Sequence, residues 1–342
     1  MRSGVLNCSG CGADYPIVRS IPRFVPMANY AANFGLEWNR HARTQYDSTS
    51  GVPLSERRFF GETGWPRRLD GELVLEAGSG SGRFTEQAAA TGATVISLDY
   101  SAAVEANYRS NGDRTNVLIV QADIYRMPVR PDYVDRAFCF GVLQHTPAPR
   151  EAFFSLVPHV KAGGAVVADT YVKSISKYNL GTKYWVRPLT RRVPPDRLYR
   201  GVRRYVDLMW PLASRIRRIP RFGPSINWRL LVADYSKVDV PEQLLKEWSY
   251  LDTFDALSPH YDEPQTLPAF RAWFVRAGLV DIEVYVGADV IVGRGRRPGR
   301  IAGGADTALR RALRSRQETT SRRASAVDAP PAASAPGRGR SV

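Results

Sequence analysis

The chain has 342 residues, a formal net charge of +15, 44% hydrophobic residues and three cysteines. No apolar run reaches the roughly 20 residues that a membrane-spanning helix requires, and the first residues lack the apolar stretch of a secretion signal. Three cysteines cannot build a disulfide framework, so we expect a cytoplasmic globular protein.

The positive charge is concentrated in two segments. Residues 171–235 contain fifteen Lys and Arg against three Asp, and residues 294–342 contain twelve Arg against three acids, so the rest of the chain is net −6. The segment 294–342 is rich in Arg, Gly, Ala, Ser and Pro, which cannot bury enough apolar surface to offset chain entropy. The sequence therefore predicts a mildly acidic core, a basic insertion at 171–249 and a disordered basic tail at 294–342.

The first 27 residues contain one Cys-x-x-Cys pair, Cys8 and Cys11. The segment resembles the second half of a small zinc ribbon, in which two such pairs supply the four ligands of Zn²⁺. Because the second pair is missing, we expect no bound metal. Either a β-hairpin persists without its metal, or the chain starts downstream of the original start.

A glycine-rich turn follows the apolar strand predicted at residues 73–75. Glu76 closes the strand, and Gly78, Gly80 and Gly82 turn the backbone into a helix near Arg83. Glycine has no Cβ, so it permits positive φ and lets a ligand approach the main chain. The spacing does not match the dinucleotide-binding pattern G-x-G-x-x-G, and no Gly-Lys-Ser/Thr completes a P-loop.

Two further predicted strands end in acidic residues. Residues 93–98 lead to Asp99 and Tyr100, and residues 117–121 lead to Asp123 and Ile124. Ligands of parallel α/β sheets bind beyond the carboxyl ends of the strands, so Asp99 is placed to accept ribose hydroxyls. The alternative role for Asp99 is that of a helix cap.

A fourth strand is predicted at 134–140, followed by Gly141, Gln144 and His145, a helix at 151–160, a turn at 161–164 and a fifth strand at 165–170. Strands at 280–286 and 290–292 should pair at the end, one of them antiparallel. Together with the stretch from Asn33 to Asp47, these segments resemble the class I S-adenosylmethionine (SAM) dependent methyltransferases. The similarity is to the type 11 group, and to a bacterial subgroup that often accompanies polysaccharide or natural-product genes.

The resemblance spans roughly residues 33–297, apart from the insertion, and it implies fold and cofactor. The expected fold is α/β, with a doubly wound, seven-stranded, mostly parallel Rossmann-like sheet formed by residues 28–170 and 250–293 and a helical insertion between them. The resemblance implies SAM as cofactor, bound by Glu76, Gly78, Gly80, Gly82, Asp99, Tyr100, Asp123, Ile124, Phe140 and Gly141. Arg43 or Gln45 would meet the methionine carboxylate, unless residues 28–64 are only a surface helix packed on the core.

Methyl transfer requires alignment, a dry pocket and, for a hydroxyl acceptor, a base. His145 is the candidate base, because it follows the fourth strand and histidine is the side chain most often used as a general base. A structural histidine bonded to the backbone is the alternative. The stretch 248–264, expected to be a loop, supplies further acceptor-site candidates, namely Asp252, Asp255, His260 and Tyr261.

The insertion contains apolar residues at helical spacing between 198 and 219, with arginines mainly on the other faces. It is expected to be a basic amphipathic element, kinked or split by Pro211. Its predicted role is a lid and acceptor platform, with possible contact to a membrane surface. An ordinary helical cap with solvated charges is the alternative.

The sequence thus predicts a SAM-dependent methyltransferase that acts on a small-molecule or glycan-precursor acceptor, by O-methylation. The competing hypothesis is a non-catalytic scaffold that binds nucleic acid and has kept only the fold. The intact glycine turn with Asp99 and Asp123 favours the enzyme, so nucleic acid is not an expected partner.

Overall fold

The computed structural model describes residues 3–26, 29–173, 181–287 and 290–299. Three short strands begin the chain: β1 (Ser3–Asn7), β2 (Asp14–Val18) and β3 (Ile21–Pro22). They form an antiparallel sheet of their own. Buried Ile21 packs with Val104 and Ile119, so this sheet rests against the main sheet.

β1 and β2 form an antiparallel hairpin. A β-hairpin was one of the two alternatives for the first 27 residues. Cys8 and Cys11 are free cysteines near its turn. Hydrogen bonds from the backbone of Cys11 and Gly10 lower the pKa of Cys8. Within the described residues, no cluster of three or more His, Cys, Asp or Glu side chains is arranged to hold a metal ion.

Seven further strands form the main sheet. They are β4 (Leu73–Ala77), β5 (Thr94–Asp99), β6 (Val117–Gln121), β7 (Val134–Cys139), β8 (Val160–Tyr171), β9 (Val280–Val286) and β10 (Val290–Arg296). Their spatial order is β6-β5-β4-β7-β8-β10-β9, and β10 is antiparallel to both of its neighbours while the other pairs are parallel. This is the predicted doubly wound, mostly parallel α/β fold.

The helices cover both faces of the sheet and build the insertion. They are α1 (Ala32–Arg40), α2 (Asp47–Ser50), α3 (Leu54–Thr63), α4 (Arg83–Ala90), α5 (Val104–Asn111), α6 (Pro149–Leu156), α7 (Thr182–Thr190), α8 (Pro195–Ile216), α9 (Gly223–Arg229), α10 (Glu242–Leu257) and α11 (Leu267–Arg276). Short 3₁₀ turns occupy Ile124–Arg126, Leu143–His145 and Val157–His159.

Alternate residues of the central strands pack into different apolar clusters. In β7, Ala137 and Cys139 join the cluster with Phe153 of α6, while Phe138 joins the cluster with Phe59 of α3. This follows from the two-residue period of a strand, and it makes the strands apolar on both faces. The sheet is therefore rigid, and its carboxyl edge has fixed positions for polar side chains.

Several predicted boundaries are corrected by the structure. The helix after β7 ends at Leu156, and β8 begins at Val160, because the 3₁₀ turn through Pro158 ends the helix early. The stretch 248–264 is helical as far as Leu257, since its aromatic residues pack inward on α8. Residues 294–296, expected to belong to the disordered tail at 294–342, are part of β10, because this strand pairs with β8 and β9 as far as Arg296. Residues 300–342 lie outside the described residues.

The insertion is organised by helix packing. Leu198, Val202 and Val206 of α8 form a buried cluster with Tyr250 and Phe254 of α10. The helix α8 is continuous through Pro211, so the predicted split does not occur. Proline removes one backbone hydrogen bond, and burial against α10 offsets that loss.

Candidate active site

The glycine turn between β4 and α4 has the backbone that the sequence predicts. Gly78, Gly80 and Gly82 all have positive φ, of 83°, 53° and 91°. A Cβ on Gly78 would overlap the Val142 side chain, and a Cβ on Gly80 would lie 3.2 Å from the Trp38 ring. The turn therefore requires glycine for its conformation and for the close approach of Trp38, which α1 places over it.

Asp99 is tied directly to this turn. Its Oδ2 accepts a hydrogen bond of 2.9 Å from the Gly80 N–H, and its Oδ1 accepts bonds from the Ser101 N–H and Oγ–H. Burial raises the pKa of Asp99, while these bonds act in the opposite direction. The N-cap of α5 is Ala103, so Asp99 does not have the helix-cap role. A carboxylate oxygen has two lone pairs, so Oδ2 can still accept a hydroxyl.

Three tyrosines surround the predicted nucleoside position. Tyr100 stacks on Tyr30 with ring centroids 4.9 Å apart, and Tyr30 meets the ring of Tyr261 edge-on at 5.5 Å. Burial, with the nearby Tyr125 and Asp123, raises the pKa of Tyr30. Sequence reasoning missed Tyr30, since this residue lies far upstream of the strands.

Asp123 and Ile124 follow β6 on the same edge of the sheet. The Asp123 carboxylate accepts a bond of 3.0 Å from the Tyr125 N–H and so caps the short 3₁₀ turn. Ile124 is buried in the core. Their expected contacts with the cofactor stay predictions.

Glu76 lies in a buried polar network at the end of β4. Its Oε2 accepts hydrogen bonds from Ser97, at 2.9 Å, and from Thr85. Asn107 donates to both hydroxyls. Burial raises the pKa of Glu76 to about 7. The network joins β4, β5, α4 and α5, so Glu76 fixes the frame of the glycine turn, and only its other oxygen is left for the predicted cofactor contact.

Phe140 and Gly141 follow β7 directly and lie next to another buried network. Phe140 packs on Phe84 with centroids 5.4 Å apart, and the Gly141 N–H donates to Asp169 Oδ1 at 2.5 Å. Asp169 is also paired with Arg58. The Arg58–Asp169 pair was not predicted, because 111 residues separate its members.

The two candidates for the methionine carboxylate lie in different surroundings. Arg43 is exposed and donates to the Ser48 hydroxyl at 3.0 Å. The Gln45 side chain points inward, with Nε2 3.5 Å from Asp252 Oδ1 and a buried Oε1 that has no partner among the described residues. The structure therefore brings Gln45, and not Arg43, next to other site candidates.

A group of buried acids lies between α1 and α10. Glu37 is fully buried, and within the described part of the chain neither of its carboxylate oxygens has a hydrogen-bond partner. Burial and the charges of Asp255 and Asp252 raise its pKa. Burial and Asp255 also raise the pKa of Asp252 to about 7. Unpaired buried carboxylates are costly unless they are protonated or bound to a ligand, so these side chains are suited to hold polar groups of an acceptor.

His145 is buried on the same edge of the sheet. Its Nδ1 lies 3.0 Å from the backbone oxygen of Tyr261, and its ring contacts Phe34 and Tyr171 at centroid distances of 5.2 and 5.5 Å. A carbonyl oxygen only accepts, so Nδ1 carries the proton and Nε2 keeps a lone pair in the neutral ring. The backbone bond of the structural alternative is thus present, and the role of His145 as a base stays a prediction.

The loop that holds His145 is itself held by the insertion. Buried Arg187 of α7 donates at 2.9 Å to the backbone oxygens of Pro259 and Tyr261 and pairs with Asp262. Burial acts to raise the pKa of Asp262, but the charges of Lys183, His145 and Arg187 outweigh it, and the pKa is lowered. Sequence reasoning missed Arg187, which is one of many arginines in the insertion.

The remaining candidate, His260, is exposed, and its ring meets Tyr261 edge-on at 6.4 Å. Tyr261 is half-buried and contributes both its ring, next to Tyr30, and its backbone oxygen, next to His145. The structure thus brings Tyr261 into the site and leaves His260 at its outside.

Comparison with known proteins agrees with this geometry. The family model for a methyltransferase domain of the type 11 group matches residues 75–168, which run from β4 to β8. An uncharacterised chloroplastic methyltransferase of Arabidopsis thaliana is 27% identical over 153 residues, or 42% of each chain. A ubiquinone biosynthesis O-methyltransferase of Azotobacter vinelandii is 32% identical over 133 residues, covering 36% of this chain and 56% of that protein. The chain therefore spans about half the length of these curated relatives.

Solved structures also align with this chain. A SAM-dependent methyltransferase from Mesorhizobium loti is 17% identical, with 68% of this chain and 94% of that chain covered and a TM-score of 0.40. An O-methyltransferase family protein from Burkholderia thailandensis is 12% identical, with 72% and 57% covered and a TM-score of 0.43.

Proposed function

Because this chain belongs to the class I SAM-dependent methyltransferases, we propose that it transfers a methyl group to a hydroxyl of a small-molecule or glycan-type acceptor in the cytoplasm. The observation that carries the proposal is the bond from the Gly80 N–H to Asp99, which fixes the glycine turn against a carboxylate one strand away. The scaffold alternative, with nucleic acid as partner, is not favoured.

The cofactor side of the site is formed by residues on β4, β5 and β6. The backbone of Gly78 and Gly80 would hold the amino-acid end of SAM, and Asp99 would hold its ribose. The bound cofactor would supply a methyl group already activated by a positive sulfur. The aromatic rings of Tyr30 and Tyr100 would exclude water from the nucleoside.

On the acceptor side, His145 would take the proton of the hydroxyl at Nε2, because its Nδ1–H is engaged with the Tyr261 backbone. Its rigid placement between Phe34 and Tyr171 favours a near-attack geometry. Gln45, Asp252 and Asp255 would bind further hydroxyls of the acceptor. Several curated relatives are named O-methyltransferases, which supports oxygen as the accepting atom.

The proposal is tested by calorimetry with S-adenosylhomocysteine (SAH), the demethylated cofactor. Replacing Asp99 by Ala removes a charged acceptor, and we expect SAH affinity to fall by at least roughly tenfold, the equivalent of about 1.5 kcal/mol for a hydrogen bond to a charged group. Asp70→Ala is the control, since Asp70 is a surface carboxylate that pairs only with Arg68 among the described residues. SAH affinity unchanged by Asp99→Ala, or no SAH binding by the wild type, would overturn the proposal.

The acceptor is sought with methyl-labelled SAM and a fractionated extract of small molecules and glycan precursors. Label should enter a fraction that contains hydroxyl acceptors. The variant His145→Ala should lower the rate of methyl transfer while leaving SAH affinity within about twofold, because a base acts on the acceptor alone. Label that enters nucleic acid instead would contradict the proposed acceptor class.

A further inference from the structure

The insertion exposes an unusual amount of apolar surface. Leu208 is 78% exposed, Leu189 68%, and Trp185 and Phe222 65% each, and Leu212 and Ile219 are also exposed. We call these six residues of α7, α8 and the turn before α9 the lid face. Single exposed apolar residues are ordinary on a protein surface, but such a group on neighbouring helices marks a binding surface.

The apolar residues of α8 cover a wide arc of the helix, and only part of that arc is buried. Its inner side is buried against α10, through residues such as Val202 and Val206. Its outer side carries Tyr205, Leu208 and Leu212, which lie three or four residues apart and therefore share one face. A helix that only covers a core needs an apolar stripe on one side, so core packing does not explain the outer stripe.

An apolar groove of about 400 Å³ lies beside the lid face. Its lining includes Val186 of α7, Tyr205 of α8 and Leu257 of α10. Val186 follows Trp185 directly in the sequence, and Tyr205 lies about one helical turn before Leu208. The groove therefore borders the lid face at these two residues.

Arginines surround this surface. Residues 181–235 contain thirteen Lys and Arg against three Asp. Arg200, Arg204 and Arg215 are exposed on α8 beside the apolar stripe. An apolar centre with tryptophan and with arginines at its edges is the pattern of a helix that lies in the headgroup region of a membrane. Anionic headgroups are the partners that this excess of arginine complements, at about 1 kcal/mol for each basic residue near the surface.

We propose that the lid face binds the surface of a bilayer that contains anionic lipids. In the described part of the chain, no helix has the combined length and apolar character needed to cross a membrane, so the contact is peripheral. Leu208 and Leu212 enter the acyl boundary, and Arg200, Arg204 and Arg215 pair with lipid phosphates. Because Arg187 of α7 holds the loop behind His145, binding also fixes the acceptor side of the site at the membrane.

The test is co-sedimentation of the full chain with two kinds of vesicle, one of pure phosphatidylcholine and one with a third of phosphatidylglycerol. The wild type should bind the anionic vesicles, and salt should weaken the binding. The variant Leu208→Glu/Leu212→Glu should lower the bound fraction by at least roughly tenfold, because it places two charges in the apolar stripe. Val275→Glu, at an exposed residue of α11 that is 58% accessible, is the matched control and should bind like the wild type.

The inference would be overturned if the wild type did not bind anionic vesicles. It would also be overturned if Leu208→Glu/Leu212→Glu bound as the wild type does, or if Val275→Glu weakened binding equally. The second outcome would assign any binding to other basic segments, such as residues 300–342. A labelled single-stranded RNA is titrated in parallel, and binding of RNA alone would also contradict the proposal. SAH calorimetry on each variant shows whether the active site is intact, so failure here is distinguishable from failure of the proposed function.

Discussion

The cofactor side and the acceptor side of the site differ in how their buried carboxylates are satisfied. Asp99 accepts three hydrogen bonds and Glu76 accepts two at one oxygen. On the acceptor side, within the described residues, Glu37 has no partner at either oxygen and Asp252 has none at Oδ2. The difference indicates that the cofactor side is preorganised by the protein itself, while the acceptor side keeps binding capacity for a ligand.

The two sides are also built differently. The cofactor side consists of a turn and strand ends within one run of the chain, from β4 to β6. The acceptor side combines α1, the end of β7, α10 and a loop held by α7. Preorganised groups bind without a reorganisation cost, whereas unpaired buried acids lower the stability of the free protein. Three mutational experiments probe this contrast.

The largest effect is expected for Gly78→Ala, on the cofactor side. The added Cβ is strained at the positive φ of this position and overlaps Val142, so the turn must shift. A strain of about 1–3 kcal/mol would weaken SAH binding by up to roughly 100-fold, as measured by calorimetry. Gly163→Ala is the control, because Gly163 has a φ of 79° with no atom within 4 Å of the added Cβ. Equal effects of the two variants would show that the glycine turn is not preorganised.

Arg187→Met should have a smaller effect on SAH affinity, because it acts on stability and on the loop of the acceptor side. It leaves the Asp262 carboxylate buried with Lys183 alone and releases the backbone of Pro259 and Tyr261. Breaking a buried pair costs about 3–5 kcal/mol, so urea denaturation should show lower stability. Amide exchange in residues 258–264 should accelerate, with SAH affinity retained. The control Arg150→Met removes an exposed pair with Glu151 and should leave exchange unchanged. Unchanged exchange in Arg187→Met would contradict the coupling between α7 and the loop.

The smallest effect concerns the pH dependence of stability. The pKa of Asp252 is raised from 3.8 to about 7 in the folded state, so the folded protein binds more protons than the unfolded chain between these values. Stability therefore falls as pH rises through that window. Asp252→Asn removes this loss, and we expect it to be more stable than the wild type at pH 8 by roughly 2 kcal/mol, with a smaller difference at pH 5.

Asp207→Asn is the control for this measurement, because it should change the stability in the opposite direction. Hydrogen bonds from Lys246 and Tyr250 lower the pKa of Asp207, so its charged form stabilises the fold above its ordinary pKa. The variant should be less stable than the wild type at neutral pH, and the difference should shrink in acid. A stability difference for Asp252→Asn that does not depend on pH would show that Asp252 titrates normally.

The cofactor side was predictable from the sequence because its determinants are local. Positive φ at Gly78, Gly80 and Gly82, a buried apolar strand before them and a carboxylate at the end of the next strand are encoded within about 30 residues. Parallel pairing then places Asp99 beside the turn without further information. The seven strands, with one antiparallel strand in the final pair, followed from apolar runs and from the family resemblance, and the structure shows that this strand is β10.

Only the tertiary structure decided which polar groups meet on the acceptor side. Arg58 pairs with Asp169 across 111 residues, Arg187 with Asp262 across 75, and Asn33 with Ser258 across 225. No periodicity in the sequence marks one arginine among the many in the insertion, and the aromatic residues at 248–257 became a helix because α8 offers them an apolar surface. Local conformation is set by the residues themselves, whereas burial and pairing depend on which distant elements the fold brings together.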